Sequence, residues 1–290
     1  MKLKIASRKS ALAQVQTDMI IDLIGRKHGI SCDKLLIETK GDKILDVALE
    51  KIGGKGLFVK EIEMAMQEGR AEAAVHSMKD VPYEMPEGFE IAAILMREDV
   101  RDVFVSLAGI SFYDLPKGAR VGTSSNRRKE HIKHLRSDIE VVPMRGNVQT
   151  RIKKIETEGL DGIVLAAAGL KRLDLEHLIT DYFEPEEFVP GIGQGALGVE
   201  ALSGSPTIQL FRALDDLDNR LCVEAERSFM KALNGDCHTA IGAYGWLEQD
   251  RMHLAGVYAV DGCYKRLKIS GPKQEAISLG QQLAREILCV

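Results

Sequence analysis

The sequence predicts a mixed α/β protein of three domains, for three reasons. Strand-like and helix-like segments alternate through the first two-thirds of the 290 residues, which is typical of α/β folds. A polar run at 96–102 interrupts this alternation and predicts a hinge. From about residue 218 the pattern changes to three strand-like segments between two helices, which indicates a small antiparallel sheet.

The first domain is predicted to contain residues 1–97 and 196–214. Residues 2–6 alternate like a strand, and residues 11–27 place apolar side chains on one helical face. The chain is then predicted to form strands at 34–38, 73–76 and 91–95, a helix at 57–68 after the Gly-rich loop at 53–56, and a returning strand at 197–200.

The second domain is predicted at 98–195 and the third at 215–290. Strands are predicted at 103–106, 120–122, 140–143 and 162–167 in the second domain, and at 241–247, 253–260 and 264–270 in the third, with helices at 219–233 and 273–288. Because the chain crosses twice between the first two domains, we expect them to form a clamshell with a cleft.

The composition is that of an ordinary globular protein, with 45% hydrophobic and 28% charged residues. No apolar run approaches the roughly 20 residues of a membrane span, and the N-terminus lacks the apolar core of a signal peptide. Five cysteines in no framework fit the reducing cytoplasm, and no zinc spacing occurs, so no metal is expected. A net charge of −4 gives no indication of a nucleic-acid partner.

Basic residues recur where predicted strands end. Arg127 and Arg128 open a predicted helix, where cations oppose the macrodipole, so we expect an anion to lie between them. The other basic positions of this kind are Arg8 beside Ser10, Arg145, Arg151, Lys171 with Arg172, and Lys55 and Lys60 around the Gly-rich loop. Taken singly, each position is more typical of a helix cap or a solvated face than of a ligand-binding site. Together they lie where open α/β sheets bind ligands, and they predict a ligand with several carboxylates.

Two further segments carry reactive groups. Asp80 follows Lys79 at the end of an apolar strand, and its carboxylate could bind an N–H group and stabilise a nearby cation; a surface ion pair is the alternative.

Cys237 follows Gly235 and Asp236 in a predicted exposed turn. It could be an inert thiol, a covalent attachment point or a nucleophile. A cysteine hydrolase is disfavoured because adjacent strand residues such as His238 point to opposite faces.

The order of these segments closely resembles the porphobilinogen deaminase family over nearly the whole chain. The matching blocks are Ile5 to Ala13, Gly53 to Glu61, Ala74 to Pro82, Val121 to Ser125 with Arg127-Arg128, Arg145-Gly146-Asn147, Ala168 to Leu173, and Gly193-Gln194-Gly195-Ala196. The resemblance implies a clamshell like that of type II periplasmic binding proteins, with a third domain that carries a cysteine. It also implies a monomeric enzyme that joins four porphobilinogen molecules head to tail, with loss of ammonia, into the linear tetrapyrrole hydroxymethylbilane.

The resemblance also implies a covalent dipyrromethane cofactor, held by a thioether to Cys237. By match, Asp80 is the catalytic carboxylate and also contacts the cofactor. The cofactor's carboxylates would be held by Lys79, Ser125, Arg127 and Arg128. Substrate and growing chain would contact Arg8, Ser10, Arg145, Arg151 and Arg172, with Lys55 and Phe58 on a mobile loop.

The chain departs from the family pattern at three positions. Asn126 stands where the family has Leu, and Asp236 and Ala240 replace a Gly and a Pro around Cys237. A carboxylate beside the thiol disfavours the thiolate, and therefore cofactor attachment. The alternative from another class is a non-catalytic clamshell that binds an organic polyanion; it explains the arginines but has no use for Asp80 or Cys237.

Overall fold

The computed structural model describes residues 2–43, 59–235, 239–260 and 262–289. Residues Met1–Arg97 and Ala196–Arg220 form one compact unit, and Glu98–Gly195 and Leu221–Val290 form a second. The chain therefore passes between the units three times, at Arg97–Glu98, at Gly195–Ala196 and at Arg220–Leu221. The sequence predicts the first two crossings at the same positions. These two units do not separate residues 215–290 from the second sheet, so the three domain boundaries stay a prediction.

The first unit is built on a five-stranded sheet of order β2-β1-β3-β10-β4. Its strands are β1 (Leu3–Arg8), β2 (Cys32–Ile37), β3 (Ala73–Ser77), β4 (Phe89–Ile94) and β10 (Leu197–Leu202). Its helices are α1 (Ala11–His28), α2 (Lys40–Lys43), α3 (Lys60–Gln67) and α7 (Ile208–Arg212). Strand β10 runs antiparallel between β3 and β4, which confirms the predicted returning strand.

Helix α1 shows why the local sequence folds as predicted. The Ser10 hydroxyl caps its first turn, and Gly29 ends it in the left-handed region with φ 66°, a conformation that costs glycine little. Ile20 and Ile24 are fully buried in the core of the first sheet.

The second sheet has the order β7-β6-β8-β5-β9. Its strands are β5 (Asp102–Val105), β6 (Arg120–Gly122), β7 (Glu140–Val142), β8 (Gly162–Ala166) and β9 (Asp181–Tyr182), and its helices are α4 (Asn126–Leu135), α5 (Val148–Thr157) and α6 (Ala167–Lys171). Strands β6, β7 and β8 are parallel, and β5 is antiparallel to β8. Edge-to-face contacts of Phe112 with Phe104 and Phe183, at centroid distances of 5.6 and 5.2 Å, lie in one of its cores.

The third sheet is antiparallel, with the order β11-β12-β13. It contains β11 (Ala240–Glu248), β12 (Arg251–Val260) and β13 (Cys263–Pro272), with α8 (Leu217–Ala232) before it and α9 (Ala276–Cys289) after it. Phe229 and Leu283 approach Gly256 so closely that an added Cβ would lie 2.9 and 2.7 Å from them. The predicted fold class, two α/β sheets and a small antiparallel sheet with helices, is confirmed.

Candidate active site

A pocket lies at the carboxyl ends of β1 and β3 in the first unit. These strands are parallel neighbours, so the residues that follow them meet at one edge of the sheet. The pocket is open to solvent, and its polar lining residues are Arg8, Ser10, Gln16, His76, Ser77 and Asp80. The structure thus brings together the predicted residues Arg8, Ser10 and Asp80.

The corner between β1 and α1 supplies the basic side of the pocket. Arg8 is the last residue of β1, and the Ser10 hydroxyl accepts the Ala13 N–H at 3.4 Å. The start of α1 is therefore positive through its dipole as well as through Arg8. Ser10 therefore caps the helix and also lines the pocket, and its contact with substrate stays a prediction.

Asp80 lies on a turn of 3-10 helix, Met78–Asp80, that follows β3 directly. Met78 anchors this turn: its side chain is 2% exposed, and its N–H donates to the Ala196 carbonyl at 3.0 Å. An added Cβ at Gly198 would lie only 2.3 Å from the Met78 sulfur, so a glycine is needed beneath the turn. Lys79 and Asp80 are exposed. Within the described ranges the Asp80 carboxylate has no hydrogen-bond or ion-pair partner, so it is available to a ligand.

His76 and Glu200 form a buried pair that sequence reasoning missed. The His76 Nε2 lies 2.8 Å from a Glu200 carboxylate oxygen, and the two residues are 6% and 1% exposed. The sequence feature that could have indicated this pair is the glutamate inside the apolar strand β10, because a buried carboxylate almost always has a partner. Gln16 similarly donates to the Ser77 hydroxyl at 3.0 Å and ties α1 to the end of β3.

In the second unit, Arg127 and Arg128 share the carboxylate of Asp102. Arg127 Nη1 donates to one oxygen at 2.7 Å, and Arg128 Nε and Nη2 donate to the other at 3.0 and 2.7 Å. Both arginines are 6% exposed and Asp102 is fully buried. The anion that the sequence requires between the two arginines is therefore a side chain of the protein.

Electrostatics keep this cluster charged. Burial by itself would raise the pKa of Asp102, but the guanidinium groups of Arg127 and then Arg128 outweigh burial and hold the pKa well below its usual range. The arginines also donate to the carbonyls of Val189 and Val164. Five of their ten guanidinium N–H groups thus donate inside the protein, and the predicted contact of both with cofactor carboxylates stays a prediction. Asp102 was missed, although a carboxylate that opens a fully buried strand is a recognisable signal.

The remaining predicted residues of the second unit follow the carboxyl ends of β6, β7 and β8. The Ser125 hydroxyl caps α4, and Asn126, at one of the departures from the family pattern, is half-buried at its first position. Arg145 is half-buried after β7, and Arg151 Nε donates to the Gly146 carbonyl at 2.8 Å.

Arg172 carries a potential ligand-binding group. Its Nη2 donates to the Gly195 carbonyl at 2.6 Å. Its Nε is buried and, among the described residues, has no hydrogen-bond partner. Because an unpaired buried N–H is costly, an acceptor on a bound anion would stabilise this arrangement.

The loop 190–195 is held by buried side chains of the second unit. The Glu226 carboxylate of α8 accepts the Gly193 N–H at 2.7 Å and the Gly245 N–H at 2.9 Å. Gln194 donates to Asp102 at 3.0 Å. The helix before the third sheet is therefore linked through this loop to the Asp102 cluster.

Four predicted positions lie outside the described residues: Lys55, Phe58, Asp236 and Cys237. Strand β11 starts shortly after Cys237 and packs on the second sheet's domain through Gly242. An added Cβ at Gly242 would lie 2.5 Å from the Pro190 carbonyl oxygen and 2.6 Å from Arg127 Cδ. The start of the third sheet therefore lies directly on Arg127.

The described residues contain no group of three or more His, Cys, Asp or Glu side chains arranged to hold a metal ion. No helix of this part of the chain is both long and apolar enough to cross a bilayer.

Comparison with known proteins covers almost the whole chain. Residues 3–209 match the family model "Porphobilinogen deaminase, dipyromethane cofactor binding domain", and residues 220–289 match "Porphobilinogen deaminase, C-terminal domain". The porphobilinogen deaminase of Clostridium botulinum strain Langeland is 60% identical over 284 residues, which cover 98% of both chains. That of Clostridium acetobutylicum is 59% identical over 288 residues and 99% of both chains. The solved methionine-binding protein MetQ is similar with a TM-score of 0.49 and 10% identity, over 85% of this chain and 99% of that one.

Proposed function

Because the chain belongs to the porphobilinogen deaminase family, we propose that Asp80 is the carboxylate at which it condenses four porphobilinogen molecules into hydroxymethylbilane. It is an enzyme of tetrapyrrole synthesis with a dipyrromethane cofactor. The observation that carries the role of Asp80 is its position: an unpaired carboxylate on an anchored turn, in a pocket that also contains Arg8.

The residues present fit a dipyrromethane and its substrate. Each pyrrole carries an acetate and a propionate, so two linked pyrroles need several cationic or N–H partners. Arg8 and the α1 N-terminus in the first unit, and the unpaired buried Nε of Arg172 in the second, are of this kind. When bound, the dipyrromethane supplies the free pyrrole α-carbon to which the first substrate is joined.

Asp80 acts on the nitrogen side of the pyrrole rings. Its carboxylate accepts a hydrogen bond from a ring N–H and so orients the ring in the pocket. When the substrate's aminomethyl group loses ammonia, positive charge spreads to the same ring nitrogen, and the carboxylate stabilises that charge. The rigid turn matters because a pre-oriented carboxylate needs no reorganisation as the charge develops.

The other residues divide between cofactor and substrate. Cys237 holds the dipyrromethane through its sulfur, and Lys79, Ser125, Arg127 and Arg128 form its surroundings. Arg127 and Arg128 also bind Asp102, and these ion pairs fix the start of α4. Incoming substrate and the growing chain contact Arg8, Ser10, Lys55, Phe58, Arg145, Arg151 and Arg172.

The enzyme is further proposed to be a cytoplasmic monomer. The four described cysteines, Cys32, Cys222, Cys263 and Cys289, are all free thiols, which suits a reducing compartment. Sedimentation of the purified protein tests the monomer, and a concentration-dependent dimer would contradict it.

Asp80→Asn tests the proposal, because it keeps the shape of the side chain and removes its charge. We expect kcat for hydroxymethylbilane formation to fall by about 10²-fold or more, with the melting temperature unchanged. Asp18→Asn is the matched control on the surface of α1, and it should keep the wild-type rate. Wild-type turnover by Asp80→Asn would remove Asp80 from this role.

A further inference from the structure

The buried pair His76–Glu200 has no part in the function described so far. His76 is the penultimate residue of β3. It lines the Asp80 pocket, although its side chain is only 5% exposed. Glu200 is placed beside it by the antiparallel register of β3 and β10, in which His76 lies opposite Gly198 and Ala74 opposite Glu200. The two side chains therefore lie on the same face of the sheet.

The hydrogen bond between them fixes the form of a neutral imidazole. A carboxylate oxygen can only accept, so His76 Nε2 carries the proton and donates it to Glu200 at 2.8 Å. The lone pair of the neutral ring is then on Nδ1. An imidazole held by a carboxylate in this way is oriented as a proton acceptor, and the carboxylate stabilises the cation that protonation creates.

A second carboxylate, that of Glu63, lies near the pair. Burial, and then the neighbouring Glu200, raise the pKa of Glu63 on α3. One oxygen of Glu63 and the second oxygen of Glu200 are buried and, among the described residues, accept no hydrogen bond. Glu63 itself is half-exposed.

The condensation needs a proton acceptor at the carbon that reacts. The C–N bond of the substrate's ammonium-bearing methylene breaks, and both electrons leave with the nitrogen as ammonia. The α-carbon of the preceding ring supplies the electron pair of the new C–C bond. Its C–H bond must then break, so that the electrons restore the aromatic ring and the proton goes to a base. Transfer of that proton to the departing ammonia gives ammonium, and no further reactant is required.

We propose that His76 is the base that accepts this proton, with Glu200 as its positioning residue. This inference rests on the proposed function. It separates two tasks within one pocket: Asp80 stabilises charge at ring nitrogens, and His76 removes the proton from carbon. Among the described residues, the charged groups near the pair are Glu63 and Lys60 on α3, and Asp80 and Arg8 in the pocket.

Turnover of porphobilinogen deuterated at its free α-carbon tests this assignment. Wild type, His76→Gln and the control His28→Gln are compared; His28 is a histidine of the same unit whose Nε2 lies 3.0 Å from the Leu210 carbonyl. For His76→Gln we expect kcat to fall by about 10²-fold, KM to stay within about twofold of wild type, and the deuterium isotope effect on kcat to increase. The isotope effect increases because proton removal, without its base, becomes the slow step. His28→Gln should match wild type.

A second readout does not depend on activity. Nitrogen-15 spectra of histidine-labelled holoenzyme should show His76 as the neutral tautomer protonated on Nε2. Should His76→Gln not fold, Glu200→Gln provides the same test, with a larger isotope effect expected because the imidazolium loses its counter-charge.

An unchanged isotope effect in the folded His76→Gln variant would overturn the assignment, as would a ring protonated on Nδ1. Failure of the wild type itself to make hydroxymethylbilane would instead refute the proposed function.

Discussion

Asp102→Asn should destabilise the second unit more than any surface change of the same type. The substitution keeps the volume of the side chain but removes the charge shared by two buried guanidinium groups. Asp102 accepts four hydrogen bonds, from Arg127, twice from Arg128, and from Gln194. The asparagine side chain has an amide NH₂ group in place of one carboxylate oxygen, and this group donates and cannot accept. At least one guanidinium N–H therefore loses its acceptor.

The expected magnitude follows from the burial of the cluster. Removing one partner of a buried ion pair costs about 3–5 kcal/mol. At roughly 2–4 °C per kcal/mol for a protein unit of this size, the melting temperature should fall by about 6–20 °C. Thermal unfolding followed by circular dichroism measures this shift, and urea unfolding measures the free energy independently.

Asp138→Asn is the matched control. Asp138 also accepts two hydrogen bonds from one arginine, Arg136, at 2.9 and 2.8 Å, but the Asp138 side chain is 28% exposed. Solvent screens such a pair, so the control should shift the melting temperature far less. If Asp102→Asn melts within about 2 °C of wild type, then the reasoning from its buried charge is wrong.

Two further predictions concern acid stability and packing. Partial burial would raise the pKa of Asp99, but hydrogen bonds from Arg101 and Lys171 outweigh burial and lower the pKa to about 2. The ionised carboxylate should therefore stabilise the folded protein fully above about pH 4, and this contribution should be lost as the pH falls to about 2. Urea midpoints of wild type and Asp99→Asn should therefore converge on acidification, and a gap that widens would contradict this. Gly242→Ala should destabilise the second unit by about 1–3 kcal/mol, because its Cβ would lie 2.5 Å from the Pro190 carbonyl oxygen. Its control, Gly25→Ala in α1, has 3.8 Å of clearance and should be neutral or stabilising.

The sequence predicted best those elements that have a clear hydrophobic periodicity and a capping or turn residue at their ends. Helix α1 begins after Ser10 and ends before Gly29, close to the predicted 11–27. The returning strand was predicted from an apolar run after the turn at 190–195, and β10 occupies that position. Strand β9 was not predicted, because Asp181–Tyr182 is too short to show a period.

The site residues that sequence missed depend on contacts between distant segments. Asp102 precedes Arg127 by 25 positions, and Glu200 follows His76 by 124. The first pair is made by packing of α4 against β5 and the second by the register of β3 and β10, and local patterns specify neither. The electrostatic argument predicted an anion between Arg127 and Arg128 and favoured a ligand. In the structure the carboxylate of Asp102 lies there, and a ligand contact of the two arginines stays a prediction.

The intact mass of the purified protein tests the central claim, that the enzyme works on a dipyrromethane bound to Cys237. The mass should exceed that of the sequence by two porphobilinogens less two ammonias. This excess should disappear in Cys237→Ser together with activity, and remain in Cys263→Ser, which changes an exposed cysteine of the same unit. A protein that is fully active at its unmodified mass, or whose adduct survives in Cys237→Ser, would contradict the claim.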